Sequence, residues 1–191
     1  MLRQTYGDQI FGKAAVHDRS YVDPRAAVIG TVIIERNVYV APFASIRADE
    51  NAPYMIREFS NVQDFVNFHA FHNVRHTVGG KEFANYIGRR CTLAHHSEVH
   101  SAVIRENCFL GIRSSAVNSV IGANCYIGHH VLIENAKIPE GRYIASCTHV
   151  NEFTDFSSLP EVPDKLRNFN MGVVEENQKI LLKYLAEAIR F

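Results

Sequence analysis

The feature that most constrains this chain is a six-residue beat of apolar side chains. Val16, Val22, Val28, Ile34, Val40 and Ile46 follow one another at that interval, and Ile56, Val62 and Phe68 resume it after an interruption. A longer run comes next: Ile87, Leu93, Val99, Ile104, Leu110, Ala116, Ile121, Ile127, Ile133, Ile138, Ile144 and Val150. The residue four places after each is Ser, Ala, Val, Cys or Thr at 17 of these 21 positions. Neither a 3.6-residue helix nor simple strand alternation generates that pattern. A short structural unit repeated along the chain does, and such a repeat governs the fold.

From Ile87 onward the intervals run 6, 6, 5, so the unit is 17 residues and Ile87, Ile104, Ile121 and Ile138 share one phase. A three-sided coil accounts for this. Each turn has three short strands, each apolar residue points inward, and successive turns hydrogen-bond to one another. About seven coils at ~4.8 Å each make a prism roughly 34 Å long. The hexapeptide rhythm resembles that of the left-handed parallel β-helix, and this resemblance implies the handedness, an exception to right-handed crossovers.

Composition agrees with strands: Val plus Ile number 35 against 9 Leu. Lys+Arg and Asp+Glu balance at 20 each, which argues against a phosphate-tracking surface and hence against nucleic acid as a partner. No apolar run is long enough to span a membrane. Met1–Gly12 carries Arg3 and Asp8 without an apolar signal-peptide core. The four Cys, at 91, 108, 125 and 147, contain no C-x-x-C pair, so a reduced, cytoplasmic setting is expected. Cys91, Cys108 and Cys125 lie 17 apart at the small-residue position and should stack inside the prism as buried thiols.

Four residues break the small-residue rule: Glu50, His72, Lys137 and Arg142. Glu50 begins the insertion Glu50–Met55, and His72 lies in a longer excursion from about Ala70 to Tyr86. Both leave after the third strand of a coil, hence from one edge of the prism, where loops commonly build function. After Val150 the rhythm stops. An irregular stretch with Pro160 and Pro163 leads to Leu166, Phe169, Val173, Ile180, Leu181, Tyr184, Leu185, Ala188 and Ile189, spaced as an amphipathic helix with Gly172 as a candidate break. Some 26 helical residues span roughly 39 Å, enough to lie along one face of the prism. The expected fold class is therefore all-β with a C-terminal α-helix. A β-helix occupies residues 1–150, including an N-terminal extension over 1–15, and a linker and helix over 151–191 belong to the same domain.

The ten histidines are not evenly spread. His69 follows Phe68 and His100 follows Val99, both third-strand positions on adjacent coils, so the two imidazoles should point outward one rung apart. At ~4.8 Å between backbones, two rings can share an ion at Zn–N distances of ~2.0–2.1 Å. His95 belongs to the second side, near a corner, and cannot comfortably turn back to that pair. A metal held by all three therefore needs His95 from another subunit, which a cyclic trimer supplies. His96 competes with His95 as third ligand. His72 and His76 lie in the excursion, and His17, His129, His130 and His149 fit no convergent arrangement.

The stretches Ala44-Ser-Ile-Arg-Ala-Asp-Glu50, Ser60-Asn-Val-Gln-Asp64, Phe68-His-Ala70, Thr92-Leu-Ala-His-His-Ser-Glu-Val-His100, Pro139-Glu-Gly-Arg-Tyr-Ile144 and Leu159-Pro-Glu-Val162 together resemble the γ-class carbonic anhydrases, over roughly Val16 to Phe191. The resemblance implies a homotrimer of left-handed β-helices. It implies Zn2+, or Fe2+ or Co2+, held by His69 and His100 of one subunit and His95 of its neighbour. It makes Arg47 and Asp49 an ion pair beside the site. Asn61 and Gln63 would orient water and substrate, Glu50 would move the proton, and Asn177 would be a further amide nearby. The implied reaction is reversible hydration of carbon dioxide to bicarbonate by a metal-bound hydroxide at the trimer interfaces. This sequence departs from the pattern where an acidic proton-shuttle loop is expected, since His72 stands there, and Glu175 stands where a Tyr is expected. His72 or His76 would then carry the proton out. Two other readings remain open. One is a non-catalytic zinc-binding trimer acting as a scaffold or assembly subunit. The other is a hexapeptide acyltransferase using coenzyme A.

Overall fold

The computed structural model describes residues 12–50 and 52–188. Most of the expected N-terminal extension, up to residue 11, lies outside the described residues, as does Ile189 of the helical stripe.

Among the described residues the apolar beat becomes three parallel sheets of seven strands, wound as seven coils of a left-handed parallel β-helix. Each coil contributes one strand to each sheet. The pairing keeps residues of equal phase in register: Ile87 with Ile104, Ile121 and Ile138 on the first sheet, Val62 with Leu93 and Leu110 on the second, and Phe68 with Val99 and Ala116 on the third. Inward residues thus form columns, and nearly all are fully buried. A single coil buries its apolar residues only when another coil covers them, so stability grows by stacking.

The corners need tight turns, and many carry a residue in the left-handed region. Asn107, Asn124, Asn118 and Asn135 do so with φ between +45° and +58°, the residue type that best tolerates it after glycine. Their amides ladder between coils, Asn118 Nδ2 donating to Asn135 Oδ1 at 2.7 Å and Asn107 Nδ2 to Asn124 Oδ1 at 3.0 Å. The small i+4 residues serve the same corners. The Cys91, Cys108 and Cys125 thiols donate to the carbonyls of Arg105, Gly122 and Pro139 at 2.9, 3.0 and 3.1 Å, and Ser114 Oγ donates to the Gly128 carbonyl at 2.7 Å. Burial pushes the Cys108 thiol far up; for Cys125 the contact with Cys108 comes first and burial second. All three thiols are buried in one stacked column, as the repeat predicts, and serve there as structural hydrogen-bond donors.

Linker residues Phe156 and Leu159 close one end of the core, and the Arg142 guanidinium donates to the Leu159 carbonyl at 3.0 Å. The C-terminal helix, α1 (Asp164–Ala188), then runs back along the second sheet. Near its start Leu166 packs with Val162 against Phe109, Tyr126 and Tyr143 of the late coils. Near its end Leu181 packs on Tyr39, and Tyr184 stacks on Tyr21 with ring centroids 4.5 Å apart. Gly172 does not break it: the helix is continuous. One exposed glycine costs about 1 kcal/mol, less than the apolar face gains against the sheet. Among the described residues no helix is long and apolar enough to cross a membrane.

The excursion after Ala70 contains a feature that the hexapeptide spacing does not indicate. His76–Val78 and Lys81–Phe83 form an antiparallel hairpin. Gly79 and Gly80 make its turn with φ of +58° and +77°, values that favour the Gly-Gly pair.

Coil stacking sets one clear expectation. A Cβ on Gly111 would lie 2.1 Å from the Gly128 carbonyl oxygen, whereas one on Gly172 would meet nothing within 4 Å. Gly111→Ala should lower unfolding stability by at least ~1–3 kcal/mol, and Gly172→Ala should raise it by about 0.5–1 kcal/mol. Chemical denaturation of the two variants beside wild type measures both.

Candidate metal centre

The site is built where the two insertions leave the prism. Strands Ser45–Ala48, Asn67–His69 and Glu98–His100 lie side by side in the third sheet, and register pairs His69 with His100 directly. The two rings face out one rung apart, centroids 5.5 Å apart and planes tilted by 48°. The chain turns after Ala48 and brings Asp49 and Glu50 over His69. His69 Nε2 lies 2.9 Å from Glu50 Oε1 and 3.2 Å from Asp49 Oδ1. Arg47 Nε lies 3.6 Å from the other Asp49 oxygen, a loose and partly exposed pair.

Glu50 is buried, 6% exposed, so its charge must be satisfied locally. Its Oε1 also accepts from the Ala70 amide at 3.0 Å, and its Oε2 accepts from the Tyr54 hydroxyl at 2.8 Å. Arg75 clamps the loop by donating to the Glu50 carbonyl at 2.9 Å. His76 Nε2 lies 2.8 Å from the Ser101 carbonyl. A carbonyl only accepts, so that nitrogen carries the proton and the ring is tied to the corner after His100. His72 is exposed at the start of the excursion. Burial, then the neighbouring His69, pushes the His100 imidazole down in pKa, which favours the neutral, ligand-competent form. The edge of the Phe71 ring covers His100, with centroids 4.3 Å apart.

These groups fit a cation. Asp49, Glu50 and His69 bring ligand atoms within 4.8 Å of one another. His100 Nδ1 is buried without a hydrogen-bond partner among the described residues, and so is Asp49 Oδ1, whose close contact with His69 Nε2 lacks hydrogen-bond geometry. Imidazole nitrogen with carboxylate oxygen is a donor set that suits a divalent metal cation.

The remaining expected residues form a second group on a different side. Asn61, in the strand Asn61–Val62 of the second sheet, is fully buried, and its Nδ2 donates to Thr92 Oγ1 at 3.1 Å. Its Oδ1 is buried and unpartnered among the described residues. Gln63 is partly buried just beyond that strand. His95 follows the adjacent strand, Thr92–Leu93, with its side chain half exposed. Its Nδ1 lies 3.0 Å from Asp64 Oδ2, which leaves Nε2 as the outward nitrogen. Asn177 sits on the inner side of α1, 7% exposed, its Nδ2 donating to the Val173 carbonyl at 2.9 Å. His96, the competing ligand, stacks on Phe65 at 4.9 Å between centroids. One chain therefore unites Asp49, Glu50, His69 and His100 but leaves His95, Asn61 and Gln63 elsewhere.

Three contributors escaped the residue-level reading. Asp64 occupies the place one coil before His95, where the Asn61–Thr92 register puts it, so counting coils would have found it. Tyr54 and Asn85 are inward residues whose polar ends only the fold reveals. A cavity of about 750 Å³ lies between α1 and the corner carrying Arg90, Asn107 and Asn124; Glu175 lines it, but none of the expected metal ligands or proton-moving residues does.

No protein-family model matches the chain. A carbonic anhydrase of Methanosarcina thermophila is 39% identical over 156 residues, covering 76% of this chain and 63% of the enzyme. The carboxysome assembly protein CcmM of a Nostoc species is 35% identical over 179 residues, covering 92% of this chain but 32% of CcmM. The chain thus spans less than two thirds of the length of these curated relatives. Among solved structures, a hexapeptide transferase family protein from Anaplasma phagocytophilum superimposes with a TM-score of 0.73 at 17% identity, over 90% of this chain and 92% of that one. That likeness speaks for the fold alone. With the repeat, the paired histidines and the buried carboxylate in place, the chain is a homologue of γ-class carbonic anhydrase and has the hexapeptide-repeat β-helix fold.

Proposed function

We propose that this chain forms a homotrimer that hydrates carbon dioxide reversibly at three metal sites, each shared between two subunits. The observation that carries the reading is the division of one donor set between two sides of the prism. His69, His100 and Glu50 gather at the third sheet, while His95, Asn61 and Gln63 gather at the second. Neither group is complete alone. A cyclic trimer would bring the half-exposed His95 corner of one subunit against the third side of the next.

A divalent metal held there by His69, His100 and the neighbouring subunit's His95 would supply a Lewis acid that makes water acidic near neutral pH. The chain's own groups do the rest. Asp64 fixes the His95 ring through Nδ1, so Nε2 is presented outward. Glu50 accepts the proton at Oε1, the oxygen turned toward His69, because Oε2 is held inward by Tyr54. Gln63 and Asn61 supply amide groups that orient water and bicarbonate. One water and one carbon dioxide give one bicarbonate and one proton. His72, exposed and unrestrained beside the site, passes that proton to solvent, whereas His76 is tied through Nε2 to the Ser101 carbonyl.

A second reading, a metal-binding trimer with an assembly role, draws support from the coverage of this chain by CcmM. It shares the metal and lacks the turnover, so stopped-flow carbon dioxide hydration on anaerobically purified protein separates the two. Hydration above the buffer rate supports the enzyme, and full metal occupancy without it supports the scaffold.

Three outcomes are expected. His69→Ala and His95→Ala each leave the protein metal-poor, and refolding the two together restores part of the metal in mixed trimers; no recovery in verified trimers contradicts shared ligation. Asp64→Asn weakens metal affinity about 10–100-fold by titration calorimetry. His72→Ala slows turnover at low buffer concentration, and added imidazole restores it; an unchanged rate removes His72 from proton export.

A further inference from the structure

We propose that Tyr54 is a positioning residue that aims the Glu50 carboxylate at His69, an inference that rests on the hydration reading for its kinetic consequence. Tyr54 stands in the first sheet, on the strand Tyr54–Ile56, paired directly with Val32 on one side and Asn85 on the other. Its ring is fully buried and packs toward Phe68, centroids 6.5 Å apart. Volume alone would be filled equally well by phenylalanine. A hydroxyl in that interior is costly unless it meets a partner. The partner is Glu50 Oε2 at 2.8 Å, itself a buried group that needs donors.

The bond divides the carboxylate. Oε2 is drawn inward to the phenol, so Oε1 is left facing outward, where it meets His69 Nε2 at 2.9 Å and the Ala70 amide at 3.0 Å. Burial first, then the Glu50 contact, pushes the Tyr54 hydroxyl well above its ordinary pKa. It therefore remains a donor at any physiological pH and never competes for the proton.

Asn85 braces the same place from the next coil. Its Nδ2 donates to the His69 carbonyl at 2.7 Å and its Oδ1 accepts from the Ala102 amide at 2.8 Å, which ties the end of the His69 strand to the corner after His100. Ser119 plays a comparable corner role further along, donating to the Val117 carbonyl and accepting from the Ala136 amide. Asn85 is thus a variation on a repeated brace. The Tyr54–Glu50 bond, in contrast, joins a core residue to an insertion and reaches the site itself.

Tyr54→Phe deletes one oxygen and keeps the packing, and coincident melting curves check that the trimer and core survive. The crystal structure of this variant should show the Glu50 carboxylate turned, with Oε1 beyond hydrogen-bond distance of His69. In hydration assays kcat should fall about tenfold with KM little changed, and Tyr54→Phe should add almost nothing to Glu50→Gln in a double-mutant cycle. A Glu50 carboxylate in its wild-type place in the variant crystal, or full additivity with Glu50→Gln, overturns the proposal. If wild type hydrates no carbon dioxide, the enzymatic reading fails while the crystal structure still decides whether Tyr54 sets Glu50.

Discussion

Everything in this molecule depends on coils that hydrogen-bond to one another in a fixed parallel register. That register is why an apolar residue every six places becomes a continuous interior. It is also why residues of equal phase become neighbours, on the outer face and in the interior alike. His69 stands beside His100, Asp64 beside His95, and Tyr54 beside Asn85 for the same reason that Ile87 stands beside Ile104. A slip of one residue would turn each of these side chains to the opposite face, losing the core and the site together.

On that regular frame, the polar groups brought in by the two insertions gather at one edge. Glu50 enters with the first insertion, Tyr54 opens the strand that follows it, and Asn85 follows the second. Each brings a group that an all-apolar coil would reject, and each is satisfied by another of the set or by backbone. The interdependence ties the ligand-bearing strands to the loops that leave after them. It keeps a charged carboxylate dry beside two imidazoles, the setting in which small changes of direction matter most. The hairpin reinforces it from outside, with Arg75 and His76 holding the Glu50 and Ser101 carbonyls.

The architecture was readable from the chain because a six-residue period has few geometric solutions. The stacked thiols, the common edge for both insertions and the pairing of His69 with His100 all follow from counting coils. Other features were hidden by the same counting. Tyr54 and Asn85 lie two places before the repeat's apolar residue, positions filled elsewhere by Val32 or Ala102, so nothing in the rhythm marks them as polar partners of a loop. The hairpin at His76–Phe83 falls between coils, where the hexapeptide pattern is silent, although Gly79-Gly80 between β-branched and aromatic residues is itself a turn signal. Gly172 suggested a break that helix-on-sheet packing overrides. The separation of His95 from the other two histidines was legible; the carboxylate that orients it was not, until the register put Asp64 beside it.

The central claim is that one cation is held by two histidines of one subunit and a third from its neighbour. A crystal structure of the metal-loaded protein, with anomalous scattering recorded at the metal edge, addresses it directly. The expected result is a threefold assembly with one anomalous peak per subunit, touching His69, His100 and the His95 of the adjoining chain. Monomers, or a peak that none of these rings approaches, would contradict it.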